Sequence, residues 1–98
     1  MLESFTCATF SSRLGERFAV QVDGATSLDV EVVEARELGE AREEAARPPF
    51  SVIFQGPRQP VLPQRIYRFQ HPDMGAFDLF IVPVGADQWG IQYEAVFT

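Results

Sequence analysis

The segment AFDLFIVPV (Ala76 to Val84) is apolar on both of the faces that a β-strand presents. Successive side chains of a strand point to opposite sides, so Phe77, Leu79 and Ile81 share one face while Phe80 and Val82 share the other. A strand of this kind needs cover on both sides. A chain of 98 residues has room for one small core, so the fold has to wrap itself around this strand. Pro83 has no N–H to donate and places the end of the strand at an edge or a bulge.

Five further segments read as strands. Phe18, Val20 and Val22 alternate with Arg17, Ala19 and Gln21, and VDGAT (Val22 to Thr26) supplies an Asp-Gly turn. Leu28, Val30 and Val32 then resume against Asp29 and Glu31, which completes a hairpin. FSVIFQG (Phe50 to Gly56), RIYRFQ (Arg65 to Gln70) and IQYEAVF (Ile91 to Phe97) follow. GPRQPVLPQ (Gly56 to Gln64) is a proline-punctuated crossing segment, and GADQWG (Gly85 to Gly90) is the last turn.

Two stretches break the period of two. TCATFSSRLGERF reads as a short helix capped by Thr6, with Cys7, Phe10 and Leu14 on one face and Gly15 at its end. At about two turns it has to dock on something, and it is the candidate cover for one face of Ala76–Val84. EARELGEAREEAARPP (Glu34 to Pro49) is rich in helix formers and includes a Glu43–Arg47 pair, yet Leu38 is its one large apolar residue. It reads as an exposed, mobile loop with transient helix.

Six short strands and one short N-terminal helix predict an all-β fold, a small antiparallel six-stranded barrel or tight sandwich, with residues 1–98 forming a single domain. Closure is attractive because an open sheet this apolar would leave adhesive edges.

Fourteen carboxylates against eight arginines give a net charge of −6, which disfavours nucleic acid and anionic membrane surfaces as partners. With Cys7 alone no intrachain disulfide forms, and MLESF is not a secretory leader. No stretch approaches the roughly 18 apolar residues of a membrane span. The expectation is a soluble, cytoplasmic protein.

Chemistry-bearing residues are sparse. His71, the single histidine, is followed by Pro72, Asp73, Met74 and Gly75 between two good strands, which suits a hairpin turn with Gly75 at a positive φ and the imidazole partly exposed. One histidine and one cysteine do not assemble a metal site, and no nucleophile motif accompanies His71, so no catalytic, metal or cofactor-binding residue is expected. PVLPQR (Pro60 to Arg65) matches the P-x-x-P-x-R pattern read by SH3 domains, but it is tethered between two core strands. Tyr67, Tyr93 and Glu94 could be imagined as an acid–base group, although alternation sends Tyr93 and Glu94 to opposite faces. Trp89, in a loop between glycines, is either a lid over the barrel end, the preferred reading, or a partner contact. Leu38 is the second candidate contact. Cys7 reads as a buried small hydrophobe.

The segments RPPFSVIFQGP, LPQRIYRFQHPDMGAFDLFIVPVG and YEAVFT resemble a family of small bacterial proteins of unknown function. The resemblance covers essentially the whole chain, with Phe5, Phe10 and Gly15 matching its amino-terminal part. The chain departs from the pattern at Met74, where leucine is usual, and in its longer charged segment Glu34–Arg47. The resemblance implies no activity, cofactor or catalytic residue, and it associates the chain with genes for phage-tail-collar-like proteins.

The function expected from these readings is a non-enzymatic interaction module that docks on a protein partner. The alternative is a carrier holding an apolar small molecule inside the barrel, and an enzyme is the third reading.

Overall fold

The computed structural model describes residues 2–40 and 47–98. A 3-10 turn (Leu2–Ser4) and a five-residue helix α1 (Cys7–Ser11) precede six strands. These are β1 (Arg17–Gln21), β2 (Ser27–Glu37), β3 (Phe50–Gly56), β4 (Arg65–His71), β5 (Gly75–Ala86) and β6 (Ile91–Phe97). They close into a barrel in the order β1-β2-β3-β6-β5-β4, every pairing antiparallel. Of the two expected architectures, barrel and sandwich, the barrel is the one formed. Among the described residues no helix is long and apolar enough to cross a membrane.

The alternation seen in the sequence builds the interior. Phe18, Val20, Val30, Val32, Val52, Phe54, Phe69, Phe77, Leu79, Ile81, Tyr93 and Ala95 are all buried. Aromatic rings fill the space they enclose: Phe18, Phe54, Phe69 and Phe77 lie 5.1–6.5 Å apart, centroid to centroid, wherever they meet. Six-stranded closure leaves an interior about wide enough for side chains. The rings take that room.

Both mouths of the barrel are stoppered. At one end α1 delivers Phe10, completely buried, to within 5.5–6.3 Å of Phe5, Phe18, Phe50, Phe54 and Phe97. The Thr6 N–H is held by Thr9 Oγ1 at 2.9 Å, a capping bond that fixes the start of α1. At the other end Leu62 is buried, its N–H donated to the Tyr93 hydroxyl at 2.9 Å, while Tyr67 donates its own hydroxyl to the Pro63 carbonyl at 2.6 Å.

Three expectations need correction. The helix is shorter than the pattern allowed and ends after Ser11, so Leu14 falls in the following turn and is exposed instead of lying on the buried face. Gly15, at φ +89°, does sit in the left-handed region that ends such a turn. Nor does α1 cover a face of β5, because it packs on β2 and β3 and fills the barrel mouth. Finally, Glu34–Glu37 is not loop: β2 runs on through these residues, paired with Ile53, Val52, Ser51 and Phe50. A bulge at Val33, between the pairs Val32–Phe54 and Glu34–Ile53, shifts the register and hid the alternation. Pairing with β3 here outweighs the helix propensity of Ala, Glu and Arg. The centre of the charged segment, residues 41–46 with Glu43 and its proposed pairing, lies outside the described residues.

Arg47 takes a different role from the one its sequence neighbours suggested. Its guanidinium stacks over Phe50 and Phe97 at 5.4 and 5.6 Å and donates to the carbonyls of Leu2 and Phe5 and to the main-chain oxygen of Thr98. One side chain thus ties the amino-terminal turn and the end of β6 to the start of β3.

Candidate functional site

The turn between β5 and β6 is organised by Asp87. Its Oδ1 accepts the N–H groups of Trp89 (2.9 Å) and Gly90 (3.0 Å) and the Gln55 side-chain amide (3.2 Å). Its Oδ2 accepts the Gln92 amide at 2.7 Å, and Gln92 also donates to Gln55 Oε1 at 2.8 Å. Partial burial pushes the Asp87 carboxyl up, but these four donors outweigh it and hold the group below the usual aspartate range. Gly90 passes so close to β3 that a Cβ there would stand 1.9 Å from the Gly56 carbonyl oxygen. The turn is braced by a carboxylate, two amides and a tight backbone crossing.

Trp89 stands on this turn, 72% exposed. The lid reading is therefore overturned. Leu62, from the crossing segment, closes this mouth, and Trp89 projects beside a cleft of about 480 Å³. Val30, Gly56 and Pro57 line the cleft, with Arg17, Asp29 and Glu31 also along it. Leu38 is exposed as expected, but it lies by the helix end of the barrel, where its N–H donates to the Pro49 carbonyl at 2.8 Å. Trp89 and Leu38 are at opposite ends and do not share a surface.

His71 does turn the corner: it ends β4 and pairs with Gly75, the first residue of β5, whose φ is +78°. The imidazole, however, is buried, not partly exposed, and its bonding is not only local. The N–H groups of Asp73 and Met74 donate to Nδ1 at 3.0 and 3.3 Å, so the ring proton resides on Nε2. Nε2 donates to Glu16 Oε1 at 2.7 Å, fifty-five residues away, and the ring packs on Phe18 at 4.6 Å. Burial pushes Glu16 up, while the bonds from His71 and Arg13 bring it below the usual carboxylate range. With both nitrogens committed, the imidazole serves as a bolt between the β4–β5 turn and the segment before β1.

The other candidates are dispersed. Tyr67 and Tyr93 hold the crossing segment by its backbone, and burial pushes the Tyr67 hydroxyl up despite nearby Arg65. Glu94 is on the outer face, accepting from the Ser51 hydroxyl at 2.6 Å. The three do not meet. PVLPQR is held by both tyrosines with its leucine buried, which removes the free extended chain that an SH3 groove requires. Cys7 is half-buried, and burial, with the charge of Glu37 adding to it, pushes its thiol up and away from the reactive thiolate. Among the described residues no three His, Cys, Asp or Glu side chains converge as a metal site.

Sequence reasoning missed the Asp87–Gln55–Gln92 brace, whose members come from two strands and a turn. Its local half was readable, since an aspartate three residues before a glycine is an Asx-turn signature. It also missed a row of exposed apolar side chains on the outside of β4, β5 and β6: Ile66, Phe80 and Val96.

Neither curated proteins nor solved structures gave a match to this chain. A family model described as a domain of unknown function, DUF6916, matches residues 5–97, from the first core phenylalanine through the last residue of β6, and the chain belongs to that family.

Proposed function

We propose that this protein is a non-enzymatic protein-interaction module of the cytoplasm that engages its partner through Trp89 at one end of the barrel. The observation that carries the reading is a tryptophan 72% exposed on a turn that is braced, not slack. Exposed tryptophans beside a groove are enriched among the residues that dominate binding energy. A pre-ordered turn also spares the partner the entropy of fixing it. The rings inside the barrel support this reading over the carrier, because an apolar guest would have to displace them. The lone cysteine supports a reducing compartment, and the resemblance to proteins associated with tail-collar-like genes makes subunits of tail-like assemblies the first partners to try.

The test is binding of purified protein to the products of neighbouring genes at physiological salt, with Trp89→Ala in parallel. A hot-spot anchor predicts a loss of affinity of about thirtyfold or more, the equivalent of about 2 kcal/mol. Unchanged affinity in the variant, or no partner retained by the parent protein, overturns the proposal.

A further inference from the structure

β5 demands cover on both faces, and the barrel supplies it on one. Outside, Phe80 pairs in register with Ile66 of β4, and continuing the Val82–Glu94 register places Val96 of β6 on its other side. The three are 65% (Ile66), 52% (Phe80) and 54% (Val96) exposed, and they share one groove of about 440 Å³ with Leu2 and Thr98. Half-buried Val82 extends the patch by one position along β5. A contiguous row of exposed large apolar side chains, unlike apolar residues scattered singly, points to an interaction surface. A closed barrel has no free strand edge, so association here has to be face to face.

We infer that this face is the interface of a two-fold symmetric dimer with a second copy of the same chain, centred on Phe80. The reason is the placement of charge. Arg68 flanks the row on the β4 side toward one end of the barrel, and Glu94 flanks it on the β6 side toward the other, so they lie diagonally across Phe80. A two-fold axis lying in the interface above Phe80, perpendicular to the line from Arg68 to Glu94, brings Arg68 of each copy over Glu94 of the other, which makes the face complementary to itself. Arg68 is free to serve both partners: its ion pair with Asp78 is made through Nε at 2.7 Å, and a guanidinium carries five donors. Glu94 leans toward β3, where one of its carboxylate oxygens accepts from the Ser51 hydroxyl at 2.6 Å, and a carboxylate has a second oxygen to offer an arginine of the other copy. A standard interface takes about 800 Å² per partner. That is one face of a molecule whose whole surface is 5977 Å². The net charge of −6 per chain opposes association at long range, but it is spread over the molecule and screened beyond about 8 Å at physiological salt. The proposal is independent of Trp89, which lies at the barrel end on the β5–β6 turn.

Sedimentation velocity over a concentration series from micromolar to millimolar tests it. The expected result is a mass rising from 11.0 kDa to twice that value, with Phe80→Arg monomeric throughout and Trp89→Ala dimerising like the parent. Because Phe80 points outward, far-ultraviolet circular dichroism should report the variant folded. Arg68→Glu and Glu94→Arg should each weaken the dimer at least about tenfold, and the charge-exchanged double variant should recover most of the loss. A parent chain that stays monomeric at all concentrations, or a Phe80→Arg variant that dimerises equally well, overturns the inference. A monomeric parent whose Phe80→Arg variant loses a heterologous partner overturns it too, and assigns the face to that partner.

Discussion

Replacing Gly90 by alanine is the sharpest perturbation this structure offers. The added Cβ would lie 1.9 Å from the Gly56 carbonyl oxygen and 3.0 Å from both the Gly56 carbonyl carbon and Gln55 Nε2. Carbon and oxygen normally approach no closer than about 3.3 Å in such backbone contacts, so β3 and the β5–β6 turn must separate by roughly 1.4 Å. The obstacle is backbone within a ladder, where Gly56 pairs with Ile91, and no rotamer change relieves it. Overpacking of this kind costs about 1–3 kcal/mol. The same displacement loosens the Gln55–Asp87 and Gln55–Gln92 bonds; the part-buried Gln55–Gln92 bond alone, at a net value near 1 kcal/mol, brings the total to about 2–4 kcal/mol, centred on about 3 kcal/mol. In urea, with a slope of about 1.5 kcal/mol/M, that moves the midpoint down by about 2 M. A domain holding roughly 5–15 kcal/mol should still fold, so the loss is measurable. The assay is urea unfolding followed by far-ultraviolet circular dichroism, since the Trp89 fluorescence also reports the local change. Gly24→Ala, where the new Cβ meets nothing within 4 Å, is the control and should stay within about 0.5 kcal/mol. A Gly90→Ala midpoint indistinguishable from that of Gly24→Ala would refute the close-approach argument.

His71→Gln should cost about 2 kcal/mol in the same melts, more than a partly exposed turn residue would, because it removes a buried ring packed on Phe18 together with its part-buried bond to Glu16. Gly75→Val should cost about 1–3 kcal/mol by forcing a β-branched residue to φ +78°; a silent result at either position contradicts the turn geometry. Because the folded-state pKa of Asp87 is depressed, its bonds stabilise the fold above the unfolded value of 3.8 and are lost as pH falls through the lower folded value. Acid titration of Trp89 fluorescence should therefore show a step below about pH 4 that Asp87→Asn removes, and a step persisting in the variant assigns it elsewhere. Arg47→Lys keeps the charge but loses the planar stacking on Phe50 and Phe97 and most of the carbonyl bonds, so it should lower stability by about 1–2 kcal/mol; a loss under 0.3 kcal/mol by urea melt contradicts the clasp.

Much of the barrel was legible because its strands report themselves locally. Phe50–Gly56 and Ile91–Phe97 were read to the residue, and β4 differs only by adding His71. Pro83 behaved as a residue without a donor must in a sheet that has no edge: the β5–β6 register shifts between Pro83 and Gly85, and the strand continues to Ala86. What local pattern did not carry was the partner of each strand and each polar side chain. The bulge at Val33 moves the inward positions of β2 out of step, so its last residues looked like a helix-forming loop until β3 paired with them. Likewise Glu16 and His71, or Gln55 and Asp87, are adjacent only after closure, which is why the histidine was legible as a corner but not as a bolt. Trp89 was legible as a large side chain on a glycine-flanked turn, yet whether it folded inward depended on Leu62 having already filled the mouth.

The need for cover on both faces of Ala76–Val84 is also where chain length decides the outcome. Closure buries Phe77, Leu79 and Ile81 at once. To cover the other face, α1 would have to lie across β4, β5 and β6, whose two inter-strand gaps span about 10 Å. With five residues it is about 7.5 Å long, and Phe10 is its one fully buried side chain. Such a helix gains more by sending that ring into an aromatic barrel mouth, where five other rings meet it, than by lying flat on Phe80. The crossing segment is likewise committed, with Leu62 in the opposite mouth. Filling the two ends uses both of the short apolar elements described outside the strands. The outer face of β5 is then left for a surface that another molecule must bring, and the opposed charges of Arg68 and Glu94 across it are what select a second copy of this chain.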